Sequence, residues 1–281
     1  MQAVKNLISK SVVHRHAVRL MGTDFEISVV GTDAGWAVAR INSAIAEIKR
    51  VDKLLTTLSD DSQANRINHN AGIGPVKVNG ELFKMIHRSI EIAGLTQGAF
   101  DITYGADNGY GKVELNMAES TVFLKEKGMR IYFGGIAKGY AADRAKYILQ
   151  MEGVGSGVIN VAGDLLTWGT QPDGSPWTIA AADPEQQFKP YAQFNISNMA
   201  IATSQRRDDA LDRLNAPGAK SVCVMSTSAE LAGAMALPVI MLGVKVGTEL
   251  INRLQQMACV FVDDYNQMFA SRFMNALNGI V

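Results

Sequence analysis

Residues 134–146 read GGIAKGYAADRAK: two glycines, a lysine, a third glycine, then small and charged residues in a helical rhythm. GMRIYF at 128–133 precedes them with strand-like content, and YILQME at 147–152 prolongs the helical pattern. The segment is a strand, a glycine turn and a helix. It is not a P-loop, which needs its lysine after the last glycine and before Ser or Thr, whereas Lys138 precedes Gly139. Nor is it a dinucleotide fingerprint: the best GxG lies in GVGSGVINV at 153–161, ahead of an apolar run where the fingerprint would follow one. From the residues alone two readings of Lys138 stand, a cation presented by a close-approach turn or a solvated lysine in a plain connection.

Working outward, the 281-residue chain is 47% hydrophobic, enough for a sizeable core. Lys plus Arg and Asp plus Glu both number 27, so no overall basic field argues for nucleic acid or an anionic membrane. Cys223 and Cys259 lie far apart without CxxC or metal spacing, which reads as two small buried hydrophobes. The N-terminal stretch MQAVKNLISKSVVHRHAVRL shows no apolar run with a cleavage site, which points to a cytoplasmic protein, or a periplasmic one if the chain is a processed form. GAMALPVIMLGVKVG at 233–247 comes nearest to a membrane span, but its length and Pro238 favour a core segment, and no transmembrane segment is expected.

Strand and helix patterns intermix with no repeat or linker, which predicts a mixed α/β (α+β) chain. DFEISVV (24–30) alternates as a half-buried strand; AGWAVARINSAIAEIKRVDKLL (34–55) and GELFKMIHRSIEIAGLT (80–96) are amphipathic helices, the second with Gly94 and Gly98 as terminators. GVINVAGDLLTWGT (157–170), SPWTIAAADP (175–184) and FNISNMAIATSQ (194–205) predict an antiparallel meander. SVCVMST (221–227) is a strand and TSAELAGAMALPVIMLG (227–243) a helix capped by Thr227 or Ser228 and limited by Pro238. KVGTELINRLQQM (245–257) is a helix, with strand ACVFVDD (258–264) after it.

MGTDFEISV (21–29), DDSQANRIN (60–68), GAFDITYG (98–105), GGIAKGYAADRA (134–145), INVAGDLLTWG (159–169) and AIATS (200–204) together resemble the FAD:protein FMN transferases, the ApbE-type flavin transferases, in order over residues 20–265. The resemblance implies a two-lobed fold with mixed and antiparallel sheets flanked by helices, spanning 20–281 after an N-terminal extension at 1–20. It implies FAD as substrate or ligand, magnesium, and transfer of FMN to a Thr or Ser hydroxyl of an acceptor protein. By the same resemblance Met21 touches the flavin side, Ala99, Phe100 and Asp101 line the FAD site, Lys138 contacts the nucleotide, and Gly135 offers a backbone carbonyl to the metal. Glycines let backbone approach a ligand closely, and a lysine supplies a compact positive charge for phosphates.

Departures fall on the positions of the chemistry. Leu58 stands where the family has a tyrosine before Ser62; Tyr132, Phe133, Gly134 and Gly135 replace its D-x-G-G; Arg213 in RLNAP replaces its histidine. Its LADALATALFVLG, which gives an Asp and a Thr one helical turn apart as oxygen ligands, is here LAGAMALPVIMLG, with Gly233 and Leu237 at those positions. Glu230, the nearest carboxylate, is the substitute in a remodelled site, with Asp101 and Asp164 as alternatives. Two functions follow: a transferase with an altered metal site, or a silent flavin- or nucleotide-binding or interaction protein. Asp164 and Asp183 read foremost as turn formers, RRDDALDR (206–213) as solvated surface, Trp168 and Trp177 as core or rim, and His14 and His16 as exposed.

Overall fold

The computed structural model describes residues 11–182, 190–206 and 218–273. Its centre is an eight-stranded sheet in the order β1-β2-β8-β9-β12-β13-β14-β15, every neighbour antiparallel. The sheet starts with β1 (Val12–Leu20) and β2 (Thr23–Gly31), joined by the two-residue turn Met21-Gly22, both at positive φ. Part of the stretch set apart as an extension is thus the sheet's edge, and His14, expected to be exposed, is half-buried with Nε2 3.3 Å from the Gly31 carbonyl. β2 alternates as its sequence demands: Phe25, Ile27 and Val29 are wholly buried.

Two amphipathic helices follow as expected, α1 (Ala34–Leu55), capped by Asp33, and, after α2 (Gln63–His69), α3 (Gly80–Leu95), capped by Asn79. Gly98, at φ +83°, donates to the Ala93 carbonyl and closes α3, while Gly94 stays inside the helix. Short strands occupy the next segment: β3 (Val76–Lys77) pairs β6 (Thr121–Leu124), which pairs β5 (Val113–Asn116); β4 (Thr103–Tyr104) pairs β7 (Arg130–Ile131). The strand ahead of the glycine turn is therefore two residues long, and α4 (Ala137–Met151) begins one residue before Lys138.

The segment from 157 to 205 departs from a simple meander. GVINVAGDLLTW is a tight hairpin, β8 (Gly157–Val161) and β9 (Asp164–Trp168), because Ala162 and Gly163 both take positive φ. Among the described residues β10 (Thr178–Ala182) and β11 (Pro190–Asn195) pair only with each other, and the large sheet passes directly from β9 to β12 (Ala200–Gln205). β13 (Ala219–Ser226), β14 (Met257–Asp263) and β15 (Met268–Ala270) complete it. Asp183 with the rest of 183–189, and Arg213 with the rest of 207–217, lie outside the described residues.

Between β13 and β14 runs α5 (Ala229–Arg253), capped by Ser228, whose Oγ accepts from the Leu231 N–H. Pro238 does not end it; the break falls at Gly243, with φ 76° and ψ 173°. The proline's ring and missing N–H are absorbed in a helix whose buried face includes Val239 and Ile240. By length and composition α5 is long and apolar enough to cross a membrane, but it packs on α4, β12 and β13 as a core helix. One continuous apolar core runs from Phe25 to Phe261, with Trp168 wholly buried and its Nε1 donating to the Val154 carbonyl.

Candidate functional site

A cleft of about 200 Å³ opens where the start of α4, the start of α5 and the strands β8, β9 and β12 meet. Its construction begins at Phe133, which buries its ring and accepts at its carbonyl from the N–H groups of Ile136 and Ala137, turning the chain into α4. Gly134 and Gly135 line the cleft within this turn. Phe100 supports them from beneath: a Cβ on Gly135 would lie 3.3 Å from its ring. Ile136 at the N-cap offers no side-chain acceptor, so beyond Ala137, whose N–H is taken by Phe133, the amides of Lys138 and Gly139 have no such cap, and the Lys138 side chain, exposed in that first turn, lines the cleft beside them. Uncapped amides, the positive helix end and an ammonium together favour an anion.

Gly139 lines the cleft as well, at the contact between α4 and α5. A Cβ there would overlap the Ala229 carbonyl oxygen and stand 2.6 Å from its carbon and 2.8 Å from the Glu230 Cα, so the two helices touch backbone to backbone. One turn on, at the i, i+4 position that shares this face, Asp143 accepts from Ser228 Oγ at 2.8 Å and from the N–H groups of Ala229 and Glu230 at 3.0 and 2.9 Å. A carboxylate of α4 thereby caps α5. α4 is also tied to α1 and α3: Arg144 pairs with Glu47, Arg50 joins Glu47 to Glu81, and Tyr140 Oη donates to Glu81 at 2.6 Å. Hydrogen bonds from Arg50 hold the Glu47 and Glu81 carboxyls below their usual range.

The sheet contributes Asp164, Thr203 and Ser204 to the cleft wall, among apolar neighbours such as Ile159 and Ile201. Asp164 Oδ1 accepts from the Thr203 N–H at 3.0 Å. Burial pushes its carboxyl up, while that hydrogen bond and the charge of Lys138 pull it down. Asp164 is therefore a wall residue of the cleft as well as the first residue after a turn, and it is the carboxylate that lines the cleft alongside Lys138.

The residues singled out in the sequence divide into two groups. Gly135, Lys138, Gly233 and Leu237 meet in the cleft; Phe100 lies beneath it. Met21 sits in the β1–β2 turn packed against the core, and Ala99 is half-buried; neither lines the cleft. Asp101 ties its own loop, accepting from the Thr103 N–H and Oγ1 at 2.8 and 2.7 Å and the Tyr110 N–H at 3.2 Å. Glu230 is buried against Arg88 at 2.8 Å, outside the cleft lining, and burial raises its carboxyl to about 7 against the pull of Arg88. The expected substitution of Glu230 for the missing metal ligands is not what this placement provides. Asp164, named in the sequence as an alternative carboxylate of the site, does line the cleft, whereas nothing in the sequence reading points to Asp143, for which the i, i+4 spacing from Gly139 is the available signal.

Of the ligand set that the family resemblance implies, these residues retain little, and Asp164 is the single carboxylate in the cleft lining. Gly233 faces the Gly135 carbonyl, 3.8 Å from where its Cβ would be, but Gly233 and Leu237 bring no oxygen, and Glu230 and Asp101 are spent elsewhere. Among the described residues no group of three His, Cys, Asp or Glu is placed to hold a metal. Magnesium needs oxygen ligands in near-octahedral array, usually one or two carboxylates with substrate phosphates.

Comparison with known proteins places this arrangement. The chain is 26% identical over 216 residues to a FAD:protein FMN transferase of Klebsiella pneumoniae (strain 342), covering 66% of this chain and 62% of that protein. It is 24% identical to the FAD:protein FMN transferase of Escherichia coli (strain K12), with the same coverage. It thus spans about six-tenths of the length of these curated relatives. Among solved structures, the ApbE protein of Thermotoga maritima superposes with a TM-score of 0.80 at 21% identity, over 95% of this chain and 99% of that one. The flavin transferase ApbE from Vibrio cholerae also gives 0.80, at 20% identity over 95% and 99%. These two establish the α+β fold. The ApbE family model matches residues 21–108 and 106–261, which between them carry the glycine turn, the capped start of α5 and every wall of the cleft: the chain belongs to the ApbE family.

Proposed function

We propose that the cleft binds FAD by its diphosphate and that the chain acts as a FAD:protein FMN transferase, passing FMN to a Thr or Ser hydroxyl of an acceptor protein. The observation that carries this reading is Lys138 beside the uncapped amides of α4 in a cleft that also holds one carboxylate. In the reaction the acceptor oxygen attacks the FMN-side phosphorus, the bond to the AMP phosphate breaks, and AMP leaves. Lys138 and the α4 amides face the negative charge that builds on the phosphates. Asp164, its carboxyl raised by burial, is the group in the cleft suited to take the hydroxyl proton. At about 200 Å³ the cleft accommodates part of a dinucleotide, so the rest of FAD lies along the surface outside it.

A second reading rests on Gly233 and Leu237. Losing a metal Lewis acid removes several kcal/mol of transition-state stabilisation, which is a rate lower by about three powers of ten or more. In that reading the cleft binds the flavin nucleotide without turning it over. Titration of FAD into the purified protein with and without magnesium, followed by incubation with an acceptor protein and in-gel flavin fluorescence, separates the two. Covalent FMN on the acceptor supports the transferase; tight binding with no transfer across several divalent ions and acceptors supports the binder. Absence of FAD binding would overturn both. Lys138→Ala weakens FAD about 10- to 150-fold if the lysine meets the phosphates, the range for a hydrogen bond to a charged group.

A further inference from the structure

We propose that Tyr132 is an aromatic platform at the rim of the cleft, on which a planar heteroaromatic ring of the nucleotide stacks while its phosphates rest on Lys138. The proposal builds on the reading of the cleft as a nucleotide site. Tyr132 and Phe133 are adjacent aromatics with opposite fates: Phe133 is 2% exposed and Tyr132 61%. The backbone fixes this split, since the Tyr132 N–H donates to the Ile102 carbonyl at 2.7 Å as the β4–β7 ladder ends.

The ring does not simply project into solvent. It lies against Gly134, where a Cβ would overlap its Cε1 and stand 2.9 and 3.0 Å from Cζ and Oη. Any larger residue at 134 would displace it, so the glycine that lines the cleft also seats the tyrosine beside it. The hydroxyl takes no hydrogen bond among the described residues, and folding gains little from a ring left mostly in water. A seated, exposed ring six residues before a cleft lysine matches the two ends of a nucleotide, a π-face and an anion. Such stacking tolerates different bases because every base has a π-face.

The test is calorimetric titration of FMN, ADP and inorganic pyrophosphate into the wild-type protein, Tyr132→Leu and Tyr132→Phe. Leucine keeps apolar bulk and removes the aromatic face. Tyr132→Leu is expected to weaken FMN, ADP or both about 5- to 150-fold and leave pyrophosphate unchanged, with Tyr132→Phe restoring the loss. A loss confined to FMN assigns the platform to the isoalloxazine, and one confined to ADP to the adenine. Unchanged affinity for both rings, or an equal loss for pyrophosphate, overturns the platform while the nucleotide reading stands. Failure of the wild type to bind any of the three overturns both.

Discussion

Gly139→Ala opposes two effects whose signs differ. In an isolated helix the change is favourable by about 1 kcal/mol, because alanine loses less backbone freedom than glycine. In this chain the new methyl meets the backbone of Ala229 and Glu230, neither of which is the flexible end of a side chain. Overpacking of this kind costs about 1–3 kcal/mol. If the start of α5 recoils, the three donors held by Asp143 are strained as well, and loss of a cap adds about 1–2 kcal/mol. The expected outcome is a net loss of about 1–4 kcal/mol, or a midpoint lower by roughly 2–7 °C for a chain of this size. Gly94→Ala is the internal control. Gly94 is also helical, but its Cβ would meet nothing within 4 Å, so that variant should be stabilised by about 0.5–1 kcal/mol. Urea and thermal unfolding of the two variants measure the pair. An unchanged or raised midpoint for Gly139→Ala would refute the backbone contact between α4 and α5.

Two further perturbations probe the neighbourhood of the cleft. Glu230 has a folded pKa raised to about 7 from 4.5, chiefly by burial, so between those values the unfolded chain ionises it while the folded chain does not. Its contribution to stability is complete below about 4.5 and falls as pH rises toward 7; Glu230→Gln should flatten that decline in urea titrations between pH 5 and 8, and a steeper decline than wild type would contradict the assignment. Installing Asp at 233 and Thr at 237 places two oxygens one turn apart facing the Gly135 carbonyl, with no other atom within 4 Å of the Gly233 Cβ position. The Gly233→Asp/Leu237→Thr double variant is expected to bind FAD with a stronger magnesium dependence than the wild type; if magnesium leaves its affinity unchanged, the room at Gly233 is not a vacated ligand position.

Legibility in the sequence followed periodicity. α1 and α3 carry buried residues at helical spacing over four or more turns and were placed closely, as was the β2 alternation. β1 was not, because an edge strand with most residues exposed has no apolar face to announce it; its nine-residue register with β2 is set by the Met21-Gly22 turn. The hairpin at 157–168 is legible only as a turn at Asp164, since nothing local marks Ala162 as left-handed. Pro238 misled because a proline's cost is local, whereas burial along α5 is spread over its length. Motif order points to Lys138, Gly135, Gly233 and Leu237, which line the cleft. Asp143 is not legible in this way, because capping a distant helix is a relation between segments, whereas Asp164 falls in the motif at 159–169 and is legible as a candidate carboxylate. Asp101, in a motif that suggested ligand contact, instead organises its own loop.

The β10–β11 excursion has a bearing on how this chain can vary. It leaves the large sheet after Trp168 and returns before Ala200, and its neck is tied where the Gly169 N–H donates to the Asn198 side chain at 3.2 Å. Because β9 and β12 pair with each other directly, the register of the sheet, and with it the wall that carries Asp164 and Thr203, does not depend on what is strung between them. The excursion is a graft point: its length and surface can drift, or be exchanged by design for a reporter or a recognition module, while the cleft keeps its shape.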